Sequence, residues 1–130
     1  IVMVHAAIMG AIERFLSVYI EHTAGAFPVW LAPVQITLLP IADRHNEFAE
    51  KIKEELQNHG IRVEIDTRSE RLQAKIRDAT LQKVPFMGII GDKEVETRTI
   101  SARTRTGEDL GSLKVSSFLE QLQEQIDKKT

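Results

Sequence analysis

The chain has 130 residues, 42% hydrophobic and 28% charged, with a net charge of −2 and no cysteine. This is the composition of a globular protein large enough for one core, and it excludes disulfides and any cysteine-built zinc site within the chain. The near-neutral charge excludes a strongly basic nucleic-acid coat but leaves room for a local basic patch.

Val4, Ile8, Ile12, Phe15 and Tyr19 recur at helical spacing, which predicts one long helix over roughly the first twenty residues. Met9, Leu16 and Ile20 lie on its other faces. A helix apolar on most sides is normally buried in a larger core, and the remainder of the chain is too small to cover it. Together with a start at Ile1, this gives the expectation that the chain is the tail end of a larger enzyme. His5, Glu13, Arg14 and Glu21 interrupt the only candidate membrane run. No signal-peptide pattern is present, so a cytoplasmic location without a membrane partner is expected. Residues 25–35, with Gly25, Pro28 and Pro33, read as a join between two units. The expected domains are 1–33, a helix and hinge from a truncated domain, and 34–130, a complete domain.

After the join, Gln35-Ile36-Thr37-Leu38-Leu39-Pro40 reads as a buried strand. Asp43 is expected to cap the next helix, whose Phe48, Ile52 and Leu56 face the core, with Gly60 ending it. Ile61, Val63 and Ile65 alternate with charged residues, as in a strand near a sheet edge. Leu72, Ile76 and Ala79 mark a third helix. Phe86-Met87-Gly88-Ile89-Ile90 shows no alternation and fits a central strand covered on both faces. Gly91-Asp92 is expected to turn the chain directly into a strand over residues 97–105. Gly107 turns it again into a strand holding Leu113 and Val115. Ser117-Phe118-Leu119-Glu120 reads as a capping box for the last helix. The fold class is α/β: a three-layer αβα arrangement with a five-stranded mixed, mostly parallel sheet, preceded by the long N-terminal helix.

Residues 67–105 carry nine basic and five acidic side chains. A solvated, salt-bridged surface is the plain reading of that patch. The first strand–helix turn, residues 39–44, contains no glycine, which counts against a small α/β nucleotide binder. Asp43, Arg44 and His45 there read as a helix cap with solvated neighbours. The four histidines have no metal-ligand spacing, and no nucleophile elbow or carboxylate pair is present.

Three segments together resemble threonyl-tRNA synthetases, a branch of the class II aminoacyl-tRNA synthetases. His5-Ala6-Ala7-Ile8-Met9-Gly10-Ala11-Ile12-Glu13-Arg14-Phe15 is similar to the third class II signature motif, with Ala6 and Ala11 where the family usually has Arg and Ser. Residues 21–35 look like the family's interdomain hinge. Residues 75–87, with Gly91-Asp92-Lys93-Glu94-Val95-Glu96, are similar to its anticodon-binding domain. The resemblance implies that Arg14 is the arginine that holds ATP in the parent enzyme, and His5 a zinc ligand orphaned here. It implies that Glu94, Arg103, Arg77, Arg71 and Arg105 read or hold the anticodon loop of a threonine tRNA, with Lys75 and Lys83 on phosphates. Ser69 stands where the family often has Asn. ATP and zinc belong to the parent, a threonine-tRNA ligase implied to be a homodimer. The fragment is expected to need no cofactor, to lack its catalytic domain as a partner, and to be inactive alone. The chemistry fits, since unpaired anticodon bases expose their Watson–Crick edges to carboxylates and guanidinium groups. Two readings weigh against recognition: Glu94 and Arg103 as a surface ion pair, and a non-catalytic protein-interaction or regulatory module reusing the same fold.

Overall fold

The computed structural model describes residues 2–7 and 10–130. Helix α1 spans Ile12–Thr23, shorter than the spacing predicts. Residues 2–7 are exposed and have no regular secondary structure, while Ile8 and Met9 lie outside the described residues. Gly10 sits at φ +64°, in a conformation that breaks a helix, and Ala11 offers no side-chain cap to the free N–H groups of α1.

The other elements are β1 (Ile36–Pro40), a 3-10 turn (Asp43–His45), α2 (Asn46–Asn58), β2 (Val63–Ile65), α3 (Leu72–Leu81), β3 (Phe86–Ile90), α4 (Asp92–Thr97), β4 (Thr99–Thr104), β5 (Asp109–Lys114) and α5 (Val115–Asp127). The five strands form one sheet in the order β2-β1-β3-β4-β5. β1 pairs in parallel with β2 and β3, and β4 pairs antiparallel with β3 and β5. Four strands therefore point one way and β4 opposes them, which is the mixed, mostly parallel α/β sheet that the sequence predicts.

Helices α2 and α5 cover one face. Ile52 and Leu56 of α2 and Phe118 and Leu122 of α5 pack with Ile36, Leu38, Ile100 and Ala102 in the main core. Helix α3 covers part of the other face, where Ala79 meets Leu39 and Met87. β1 is buried along its whole length, as a strand between two layers must be. At the end of α2, Gly60 takes φ +79°, and the N–H groups of Gly60 and Ile61 reach back to the carbonyls of Gln57 and Leu56.

Three local expectations are corrected. Asp43 opens the 3-10 turn and does not cap α2, whose N-cap is His45. Gly91-Asp92 is not a hairpin turn: Gly91 is extended, and the Glu94 carboxylate accepts its N–H at 3.0 Å, starting α4 before β4 begins. Helix α5 begins at Val115 without a side-chain cap, so Val115 belongs to that helix and Ser117 lies inside it.

The join is fastened to the domain that follows. Val29 and Ala32 are buried, and Val29 belongs to the main core although it lies upstream of residue 34. Buried Gln35 donates to the Val29 carbonyl and accepts from the Arg62 N–H, each at 2.9 Å. The Arg62 guanidinium donates to the carbonyls of Ala32 and Trp30.

Candidate functional site

Parallel strands β2, β1 and β3 release the chain at one edge of the sheet, where open α/β sheets commonly bind ligands. Three connections meet there: residues 41–45, residues 66–71, and Gly91 with α4. An open cleft of about 380 Å³ lies between the first two, lined by Asp43, Asn46, Ser69, Glu70, Arg71 and Lys75 among others. The Ile41 N–H donates to the Ile90 carbonyl at 3.0 Å, joining the first connection to the third. Asp92 lies across the same junction. Its carboxylate takes both arms of the Arg44 guanidinium, at 2.9 and 2.5 Å, and lies 2.8 Å from Nε2 of buried His45. The hydrogen bonds from Arg44 and then His45 hold the Asp92 carboxyl down to about 2.

The other end of the site follows from strand register. Ile100 and Ala102 point into the main core, so Ser101 and Arg103 project from the opposite face, beside Met87. Helix α3 packs over β1, leaving Thr99, Ser101 and Arg103 of β4 only partly buried. Arg77 of α3 is exposed and lines an open depression with Arg71, Gln73, Ala74 and Ile76. β4 thus offers a polar, partly uncovered sheet face that carries Arg103, while Arg71 and Arg77 are exposed at and on α3, features suited to unstacked bases and their phosphates.

A family model described as an anticodon binding domain matches residues 32–125. The chain belongs to that family. The threonine–tRNA ligase of Alkalilimnicola ehrlichii is 52% identical over 125 residues, covering 96% of this chain and 20% of that protein. The threonine–tRNA ligase of Acidobacterium capsulatum is 54% identical over 129 residues, covering 99% of this chain and 19% of that protein. The chain thus spans about a fifth of the length of the curated relatives it matches. The crystal structure of the RNA binding domain of threonyl-tRNA synthetase from Cryptosporidium parvum superposes with a TM-score of 0.85 at 30% identity, covering 92% of this chain and 30% of that one. A prolyl-tRNA synthetase from the same organism, 21% identical with a TM-score of 0.69 over 78% of this chain and 22% of that one, shares the fold.

Within this anticodon-binding domain the sequence-derived residues divide into groups. Glu94 and Arg71, with Ser69, lie at the edge where the parallel strands end. Arg103 stands opposite Met87, three positions before Ile90, or roughly 10 Å back along the sheet. Glu94 and Arg103 form no ion pair among the described residues. One Glu94 oxygen accepts from the Gly91 N–H, and Arg103 donates to the Gly107 carbonyl at 3.3 Å. Exposed Lys83 sits at the lower edge, after α3, at φ +60°.

Two assignments need correction. Lys75 is only 3% exposed, and its ammonium donates to the carbonyls of Pro40 and Asp66, both at 3.0 Å. It ties α3 to the ends of β1 and β2 and is not a solvent-facing phosphate contact. Arg105, expected to read or hold the anticodon loop, lies one residue beyond the end of β4. Its backbone N–H bonds the Pro85 carbonyl, and its guanidinium holds the Phe27 carbonyl at 2.6 Å, so it tethers the join.

Sequence reasoning missed Asp92 and His45 as a joined pair, because their contact spans 47 positions. The Asp43-Arg44-His45 trio supplied a local cue, which read as solvated cap neighbours. Arg14 is exposed on α1 and His5 is exposed in the segment before it. Among the described residues no three metal-ligating side chains come together. The described residues thus do not bring together the donors of a zinc site.

Proposed function

We propose that this domain reads the anticodon loop of a threonine tRNA as one part of a threonine–tRNA ligase. The ligase as a whole activates threonine with ATP and transfers it to that tRNA in the cytoplasm, acting as a homodimer. The observation that carries the reading is the uncovered face of β4 with Arg103 projecting from it, Arg77 on the neighbouring helix, and Glu94 at the upper edge. Glu94 offers a carboxylate to guanine N–H donors, while Arg103 donates to base or phosphate acceptors. Arg71, Arg77 and Lys83 supply positive charge, which positions the loop without specifying it. Family membership and the similarity to threonine–tRNA ligases support the same assignment.

The test is titration with a threonine-tRNA anticodon stem-loop and with loops whose middle guanine or final uracil is replaced, at two salt concentrations. Wild-type protein is expected to prefer the matched loop. Glu94→Ala and Arg103→Ala each reduce that preference by about 1–3 kcal/mol. Lys83→Ala weakens all loops alike and lowers the salt dependence. Equal binding of every loop by wild type would favour the interaction-module reading, for which the exposed apolar side chains of α1 are the supporting observation.

A further inference from the structure

We propose that Arg44, His45 and Asp92 form a latch that holds α4 against the connection from β1, and thereby positions Glu94 for base recognition. This rests on the reading of Glu94 given above.

Helix α4 needs an external hold. It has six residues and none of them is buried. A helix of that length does not persist in water on its own propensity. Val95 leans on the main core, and Arg98 ends the helix at φ +52°. Its last residue, Thr97, shares a hydroxyl hydrogen bond of 2.7 Å with Thr99 at the start of β4, and its first residue, Asp92, is held by side chains of the connection from β1. Nδ1 of His45 accepts the Ala42 N–H at 3.2 Å, while Nε2 lies 2.8 Å from Asp92 Oδ1 and 3.3 Å from Arg44 Nε; with the proton on Nε2, the tautomer that the Ala42 bond favours, the ring donates to Asp92. The imidazole therefore takes its orientation from one connection and passes it to the other. Arg44 closes the second side of the same carboxylate in a two-pronged pair. His45 is buried and cannot swing away, whereas the Arg44 and Asp92 side chains are 68% and 66% exposed. Beneath them, Ile41 rests on Gly91: a Cβ built at Gly91 would lie 2.9 Å from Ile41 Cδ1 and 3.1 Å from the Glu94 carboxylate. Glu94 is two residues beyond Asp92 in the same turn, and its carboxylate already reaches back to the Gly91 N–H. Release of Asp92 therefore frees the turn that carries Glu94.

The latch is separated from general stability by a double-mutant cycle on base discrimination. Asp92→Ala is expected to lower the ratio of matched to mismatched stem-loop affinity by about 3–10-fold while changing affinity for the mismatched loop by less than about 2-fold. In the Glu94→Ala background, Asp92→Ala should have no further effect on that ratio. Asp92→Asn retains an oxygen for His45 and should recover part of the loss. His45→Leu should reproduce Asp92→Ala, and His45→Gln, with a donor near the position of Nε2, should restore discrimination. Amide hydrogen exchange over residues 93–97 should quicken in Asp92→Ala and not in Glu47→Ala, which removes an exposed ion pair on α2. Loss of discrimination in Glu94→Ala but not in Asp92→Ala or His45→Leu would overturn the latch and leave the anticodon reading standing. Loops bound equally by wild type and Glu94→Ala would overturn the reading, and with it the latch's part in recognition. Unchanged exchange over α4 in Asp92→Ala would overturn the latch whatever the loops show.

Discussion

An ammonium group leaves water only where oxygens replace its hydration shell. Lys75 meets that condition with two backbone carbonyls from different strand ends, so a charge that reads as RNA-facing becomes a structural tie. The cue lay in its spacing, because Lys75 sits three residues after Leu72 and four before Ala79, on the buried side of α3. Arg105 is harder to foresee, since its acceptor is 78 positions away at Phe27. Asp92 permits a direct test at this scale. Its folded-state carboxyl is held down to about 2, first by the Arg44 hydrogen bond and then by that from His45, against about 3.9 for an unperturbed aspartate. A depressed carboxyl pKa stabilises the folded state at pH above the unfolded value, and the contribution is lost as pH falls through the folded one. The Asp92 pair should therefore be intact above about pH 4 and fail progressively toward pH 2. Carboxyl-carbon NMR titration should place the Asp92 midpoint near 2 in wild type and move it up toward the ordinary value in Arg44→Ala. An ordinary midpoint in wild type would contradict the pairing.

At the scale of elements, strands and helices with strong periodicity were legible from sequence, and junctions set by single caps were not. β1, α2, β2, α3 and β3 follow the apolar pattern, because burial on one face or two is written into residue spacing. α4 has one partly buried apolar residue, Val95, and so no period to detect. Its only signal is Glu94 three positions after Gly91, which reads equally well as part of a turn. Gly88 shows a different kind of constraint. It lies in β3 between Leu38 and Ala102, and a Cβ there would fall 2.8 Å from both Ile100 Cγ2 and Leu38 Cδ2. Two branched side chains thus fill the space a methyl group would need. Gly88→Ala should destabilise the domain by about 1–3 kcal/mol, the usual effect of overpacking a filled core. Urea unfolding measures it, and a variant as stable as wild type would show that Ile100 and Leu38 move aside easily.

Taken as a whole molecule, the chain is a closed α/β domain with an appended helix. Ile12, Phe15, Leu16, Val18 and Ile20 of α1 are 46–59% exposed, and no residue of that helix is buried. Phe15, Tyr19 and Phe27 stack in series and are the aromatic contact between α1 and the join. The join itself is integral to the domain. Val29 is in the core and its N–H bonds the carbonyl of Thr130, Lys129 lies over the Trp30 ring, and Arg105 holds the Phe27 carbonyl. These contacts separate two truncations that a boundary at residue 34 would treat as equivalent. Deleting residues 1–25 removes α1 and with it the Tyr19–Phe27 stack, but leaves the contacts of the join with the following domain in place. The product should remain folded with nearly unchanged unfolding cooperativity, and should be less prone to self-association because an exposed apolar face has gone. Deleting residues 1–33 also removes Val29, whose burial is worth about 1.5–3 kcal/mol. It further leaves Gln35 and Arg62 without the carbonyls of Val29, Trp30 and Ala32. That product should unfold at clearly lower denaturant than the first. Sedimentation and urea unfolding of the two deletions decide the matter: equal stability would place the join outside the domain, and unfolding of the shorter deletion would make α1 part of its core.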